Sequence, residues 1–345
     1  MPAIRLLKNR WLIQFVIVGG LLLVALLQVD LGALGRSFSN ARYEWLLVAA
    51  VVYAGSRLLH ALEWQITLSR VGRAPFFGLF GVLLIGTLVN AVVPASAGDI
   101  VKIQIVANRY GLPRAGLVAS RGAEALVNAV LIVAFVLVSF ALPNVGFASP
   151  SLVWLLACAT VATLIATVFV ARLLPESAPR WSLLLHLPRR FQNSIERQWP
   201  RIHEGFEVIR RPRLLAVALA FNLFGWLVDI LISWSSGRAF NLDLPLAAYV
   251  SVTVVIGIIT IFPITFGNIG TFELAVGAVL ALHEVSSSDA LAYAVGTHLF
   301  STLLNIALGI GAMLVMRMRP GEVFRFRSPA TPALEQPSPA TADVP

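Results

Sequence analysis

The chain has 345 residues, of which 58% are hydrophobic and 12% are charged, and its formal net charge is +9. Soluble domains contain about 45–50% apolar and about 25% charged residues, so this composition excludes an ordinary soluble domain and indicates an integral membrane protein. A single cysteine, Cys158, excludes an internal disulfide, and no metal-site spacing, Walker loop or dinucleotide glycine pattern is found.

Six apolar runs are long enough to cross a membrane, since a hydrocarbon core requires about 20 apolar residues per helix. They are residues 11–29, 45–62, 122–142, 151–171, 214–236 and 291–316. The first run is too long for the apolar part of a typical signal peptide, so we expect it to be retained as a helix. These runs predict an all-α, multi-pass membrane protein.

Two further apolar segments, about 76–120 and 246–283, are each interrupted by proline, glycine and a carboxylate. Interrupted segments in corresponding positions of two halves point to a transport site. Non-helical backbone at membrane depth must be buried in protein or line a watery cavity. The interrupting residues are Pro94, Gly98 and Asp99 in the first segment and Pro263, Gly267, Gly270 and Glu273 in the second.

The distribution of basic residues decides how these segments enter the membrane. Between Arg172 and Arg213 basic residues outnumber acidic ones nine to four, and more flank the outer spans. Such clusters mark the cytoplasmic side. If 76–93 crossed the bilayer, Lys102 and Arg109 would lie outside, whereas a re-entrant hairpin keeps every basic cluster inside. The positive charge therefore reflects topology rather than nucleic-acid binding, and both termini are predicted to be cytoplasmic.

The order helix, helix, hairpin, helix occurs twice, and the second copy has the opposite orientation. We therefore predict six spans and two re-entrant hairpins in an inverted repeat, within one membrane domain covering residues 1–320. Its halves are about 11–142 and 151–316, and the basic loop 172–213 contains an amphipathic segment, about 177–205, expected on the inner leaflet. A polar tail, 321–345, is predicted to be disordered.

Asp99 and Glu273 are predicted in the first turn of the returning arm of each hairpin, where the helix dipole favours an anion. Lys102 follows one turn after Asp99, so it can pair with that carboxylate or meet an anionic ligand. The two acids could instead only stabilise helix starts. Ionisable residues at membrane depth are costly and usually functional, and their matched positions favour a substrate site.

Arg121 and Glu124 share a helix face at i, i+3 spacing, near the start of the third full span. They could form an interfacial ion pair. Alternatively, Arg121 and Lys102 form a cationic lining for a phosphate-bearing headgroup, since Arg favours bidentate contacts with phosphate.

Three further polar residues occur in or near spans. His298 lies inside the last span, either as a hydrogen-bonded packing residue or as a proton relay. Arg57 and His60 are expected to close the second span at the interface, with their side chains reaching toward water.

At these positions the chain resembles the lysylphosphatidylglycerol synthase transmembrane-region family, also called flippase-like domain proteins. The resemblance covers about residues 10–316 and implies a polytopic fold with re-entrant helices and a role in moving lipid between leaflets. About 29 residues follow the last span, too few for the aminoacyl-transferase domain that some members carry, so lipid lysylation is not expected. Relative to the family pattern, Lys102 and His298 stand where arginine is usual and Ser120 stands where an acid is usual. The carrying motifs are Asn90-x-x-x-Pro94-x-x-x-Gly98-Asp99-x-x-Lys102, Ser120-Arg121-x-x-Glu124 and Pro263-x-x-x-Gly267-x-x-Gly270-x-x-Glu273.

The leading interpretation is a lipid translocase of a bacterial cytoplasmic membrane, which passes an anionic phospholipid or polyprenyl or glycolipid headgroup between the hairpin tips. One alternative is an ion-coupled transporter of a small soluble solute. Another is a non-transporting partner of an envelope-lipid enzyme, recruited through the basic loop. An enzyme acting alone is not expected, because no nucleophile, base and oxyanion set is visible, and neither a cofactor nor a metal is expected.

Overall fold

The computed structural model describes residues 31–93, 97–141, 189–261 and 265–323, with single helical positions at 158, 161, 162, 165 and 169. Within these residues every regular element is helical. The helices are α1 (Leu31–Ser39), α2 (Tyr43–Leu68), α3 (Phe76–Val92), α4 (Ala97–Tyr110), α5 (Arg114–Ala141), α6 (Arg189–Arg210), α7 (Pro212–Ala239), α8 (Leu246–Ile261), α9 (Thr271–Ala281), α10 (Ser287–Val315) and α11 (Pro320–Val323), with a 3₁₀ turn at Phe266–Asn268 between α8 and α9.

Four of these helices, α2, α5, α7 and α10, are long and apolar enough to cross a membrane. They coincide with four of the predicted spans, so the prediction of a multi-pass helical membrane protein is confirmed. The predicted span 11–29, almost all of 151–171 and the tail from 324 onward lie outside the described residues.

Two helix boundaries differ from the sequence prediction. Helix α2 continues to Leu68 rather than ending near residue 62, so the expectation that Arg57 and His60 close this helix is wrong. Helix α5 begins at Arg114 rather than 122, after a break at Gly111, whose φ of 68° suits glycine. The hydropathy pattern ended both spans at charged residues. In the structure the helices continue through these residues, because the charges are paired within the protein.

Helices α2 and α7 pack against each other in opposite directions. Near the start of α2, Trp45 makes an edge-to-face contact with Trp234 near the end of α7, with ring centroids 5.3 Å apart. Toward the end of α2, Glu63 accepts a hydrogen bond of 2.7 Å from the side chain of Asn222, in the first half of α7. The pairing therefore runs antiparallel along most of both helices.

The shorter helices α3 and α4 form an antiparallel pair. The side chain of Asn90 near the end of α3 accepts a 2.7 Å hydrogen bond from the backbone N–H of Gly98 at the start of α4. At the other end, Tyr110 of α4 lies against Gly78 of α3.

Contacts between the shorter and longer helices are reciprocal. The short helices α8 and α9 pack together, as α3 and α4 do. In addition, α3 lies against the long helix α10, and α8 lies against the long helix α5. Each short pair is thus held partly by a long helix that belongs to the other half of the sequence.

Helix α6 contains most of the described part of the basic segment, and its last turns pack against protein. Val208 and Ile209 are fully buried against Ala123 and Val127 of α5. Close approach is possible because Gly205 faces α5, where a Cβ would overlap Ala119. The end of the predicted amphipathic segment, at Gly205, therefore packs against α5; residues 177–188 lie outside the described residues.

Gly98 provides a test of the α3–α4 pairing. A Cβ at this position would overlap the carbonyl oxygen of Gly86 and the side chain of Asn90. Since overpacking costs about 1–3 kcal/mol, we expect Gly98→Ala to lower the midpoint of thermal unfolding measured on purified protein in detergent. Gly277→Ala on α9 is the control, because nothing lies within 4 Å of a Cβ there. Equal midpoints for the two variants would contradict the close approach.

Candidate functional site

Asp99 is the third residue of α4, and it contacts both Lys102, its predicted partner, and Arg121, which the sequence placed beside Lys102. The Nζ atom of Lys102 is 2.6 Å from Oδ1 of Asp99, one turn along the same helix. The Nη2 atom of Arg121, on α5, is 3.1 Å from the same oxygen. The predicted cluster is therefore assembled around one carboxylate oxygen.

Arg121 also forms an ion pair with Glu124, so its guanidinium joins two acids. It lies about two turns inside α5, and not at the helix start that the sequence suggested. Lys102 is 8% exposed, and its Nζ lies 6.0 Å from the centroid of the Trp64 ring, at the range of a cation–π contact. The two positive and two negative charges balance, so the expected cationic lining is neutralised by the protein's own carboxylates.

Glu273 is the third residue of α9 and has a different set of partners. Its Oε2 accepts a 2.7 Å hydrogen bond from the backbone N–H of Gly270, and its Oε1 lies 2.7 Å from Nδ1 of His298 on α10. The ring of Phe272 stacks on His298 at 4.4 Å between centroids. Glu273 therefore caps its own helix and also contacts an ionisable side chain on another one.

The two short helix pairs share one local design. In each pair, the third residue of the second helix is a carboxylate, and a basic side chain on the long helix that follows contacts it. Arg121 comes 22 residues after Asp99, and His298 comes 25 residues after Glu273. They differ in accessibility, since 36% of the Asp99 side chain is exposed and only 6% of the Glu273 side chain.

The break before α9 touches the end of α3. Gly267 and Gly270 have φ angles of 56° and 82°, a region that favours glycine. A Cβ on Gly267 would lie 3.8 Å from the carbonyl oxygen of Ala91, so the two interrupted segments meet. Pro94 and Pro263, predicted to unwind the hairpin tips, lie outside the described residues.

A second polar cluster, between α2 and α7, was not among the sequence candidates. The ring nitrogens of His60 lie 3.6 Å from a carboxylate oxygen of Glu63 and 3.8 Å from one of Asp229. Ser56 donates a 2.8 Å hydrogen bond to Asp229, and Arg57 lies 3.9 Å from the same oxygen. Asp229, a carboxylate inside an uninterrupted apolar span, is the sequence signal that could have revealed this cluster.

Comparisons with known proteins identify a family for this chain. The family described as Lysylphosphatidylglycerol synthase TM region matches residues 11–309. Searches of curated proteins and of solved structures found no match.

The contacts of Arg121 predict that removing its charge affects Glu124 more than Asp99. In Arg121→Gln, Glu124 loses its cation while Asp99 keeps Lys102, so the variant should lose about 2 kcal/mol, less than a fully buried pair because all three groups are partly exposed. Adding Glu124→Gln should recover part of that loss, because it removes the unpaired carboxylate. The measurement is the unfolding midpoint in detergent for the single and double variants.

Arg201→Gln on α6 is the matched control, because the side chains of Arg201 and its partner Glu204 are 52% and 38% exposed. Exposed pairs contribute about 0–1 kcal/mol. A loss at Arg121 no larger than at Arg201 would contradict a structural role for the cluster.

Proposed function

The chain belongs to the lysylphosphatidylglycerol synthase transmembrane-region family, and from this membership and the matched carboxylate–base pairs we propose that it moves lipids between the leaflets of a bacterial cytoplasmic membrane. The headgroup, an anionic phospholipid or a polyprenyl or glycolipid phosphate, passes between the two interrupted segments while the acyl chains stay in the bilayer. The occurrence of the same carboxylate–base design in both halves carries the proposal.

Two observations support an inverted repeat. Helices α2 and α7 are the second predicted spans of the two halves. They run antiparallel, as an inverted repeat requires. The contact of α3 with α10 has its counterpart in the contact of α8 with α5. In this arrangement the termini are cytoplasmic and the halves enter the membrane with opposite orientation.

Helix length supports re-entrant hairpins. Helices α3, α4, α8 and α9 have 17, 14, 16 and 11 residues, which correspond to between about 16 and 26 Å at 1.5 Å per residue. A hydrocarbon core is about 30 Å thick, so none of these four helices is long enough to span it alone. Two pairs that meet at Gly267 and Ala91 would reach membrane depth from opposite sides.

The chemistry of the first site suits a phosphate that replaces Asp99. Lys102 and Arg121 both bind one oxygen of Asp99, and a phosphate oxygen can take the same position, since Arg and Lys bind phosphate as they bind carboxylate. Because Asp99 is partly exposed, a headgroup can approach it. When Asp99 binds the two cations again, it displaces the headgroup, which can then leave the site.

The proposal predicts that both carboxylates are required for lipid movement. In liposomes containing purified protein and fluorescent lipids, Asp99→Asn and Glu273→Gln should each reduce the flip rate at least about tenfold, equivalent to about 1.4 kcal/mol in the barrier. Arg211→Gln is the control, because Arg211, between α6 and α7, pairs only with Glu207 among the salt bridges of the described residues and its side chain is 51% exposed. The lipids tested are several anionic phospholipids and polyprenyl phosphates.

The proposal would be overturned if liposomes with purified, folded wild-type protein flipped none of these lipids faster than liposomes without protein. Two other outcomes would point to the alternatives. Uptake of a water-soluble solute that depends on Asp99 would favour an ion-coupled solute transporter. A cellular phenotype that survives Asp99→Asn and Glu273→Gln but requires the basic segment 172–213 would favour a partner of an envelope-lipid enzyme.

A further inference from the structure

The cluster between α2 and α7 is not explained by the headgroup site. We propose that His60, with Glu63 and Asp229, forms a proton-binding site inside the helix bundle; resting on the proposed function, we further propose that its occupancy controls the rate of lipid translocation.

The first argument is the geometry around His60. Its two ring nitrogens face two different carboxylates, Nδ1 toward Glu63 and Nε2 toward Asp229. The distances of 3.6 and 3.8 Å are those of ion pairs rather than hydrogen bonds, so the two carboxylates attract the ring chiefly when it carries a positive charge. The site is therefore built for the protonated ring, with one acid on the same helix and the other on α7.

The second argument is the local charge balance. With His60 neutral, Glu63 and Asp229 carry two negative charges, and Arg57 supplies one positive charge, which leaves one net negative charge. Protonation of His60 brings the sum to zero. Charges in a low-dielectric interior are costly unless compensated, so uptake of one proton completes the compensation.

The third argument is position. Both helices are long enough to span a membrane, and His60 lies about 7 Å along the axis from the midpoint of α2 at 1.5 Å per residue. The side chain of Glu63 is 2% exposed and that of His60 is 26% exposed. A Cβ on Gly225 of α7 would lie 3.4 Å from the His60 ring, so α7 packs directly beside this histidine.

The cluster is also connected to both halves of the protein. On one side, Glu63 accepts a 2.7 Å hydrogen bond from the Asn222 side chain of α7. On the other side, the guanidinium of Arg57 lies 4.7 Å from the centroid of the Tyr53 ring, and the Tyr53 hydroxyl donates a 2.5 Å hydrogen bond to Asn305 of α10. A proton on His60 would therefore change the charge balance where α2 meets α7, next to side chains that also contact α10.

The test is lipid flipping at controlled pH in liposomes with the same pH on both sides. Between about pH 5.5 and pH 8, a range that brackets the ordinary histidine pKa of about 6.5, the wild-type rate should change several-fold. His60→Gln should lose most of this pH dependence, with His298 beside Glu273 as the source of any remainder, while His283→Gln, in the turn after α9, should behave as wild type. A His60→Gln variant with the wild-type pH dependence, or a wild-type rate that is constant over this range, would overturn the coupling.

A second measurement separates this proposal from the proposed function. The chain has five histidines, and in protein labelled with ¹⁵N-histidine the His60 signal is the one lost in His60→Gln. In nanodiscs, its ring nitrogens should change from the neutral to the charged form across the same pH range, and the midpoint should shift in Asp229→Asn. This result supports the proton site even if no lipid moves. A His60 ring that stays in one protonation state throughout would overturn it.

Discussion

The structure depends on one constraint: charges within membrane-spanning helices are tolerated only where the protein itself compensates them. Asp99, Lys102, Arg121 and Glu124 balance to zero by mutual contact. The carboxylate of Glu273 is held by a backbone N–H and by His298. In each group one contact joins a short helix to the long helix that follows it in the chain, Asp99 of α4 to Arg121 of α5 and Glu273 of α9 to His298 of α10. The polar contacts therefore fix how the short helices sit against the long ones.

Local features of the site could be predicted from the sequence, because they depend on helix geometry alone. The first-turn positions of Asp99 and Glu273 follow from the preceding breaks, and the i, i+3 spacing of Asp99 and Lys102 places them on one face. Contacts between helices could not be predicted. That Arg121 reaches Asp99, and that His298 reaches Glu273, depends on which long helix packs beside each short pair, and neither hydrophobic periodicity nor residue spacing encodes that choice.

The errors in the sequence prediction share one physical cause. Hydropathy treats a charged residue as an indication that a span has ended, so α2 was predicted to stop soon after His60 and α5 to start after Arg121. In the structure both helices continue through these residues, because partners on neighbouring helices compensate the charges. A charge that shortens a predicted span is therefore also evidence for a buried partner, and Asp229 on α7 is the partner that completes the cluster around His60.

Stability alone does not account for these ion pairs. Replacing a buried ion pair by well-packed apolar residues is often neutral or stabilising, because desolvation of the charges offsets their attraction. Apolar side chains would hold α2 against α7 at least as well, as the contact of Trp45 with Trp234 already does at one end. What apolar residues cannot do is change their charge or exchange one partner for another. The presence of Glu63, His60 and Asp229 between α2 and α7 therefore agrees with the proposal that this cluster binds and releases a proton.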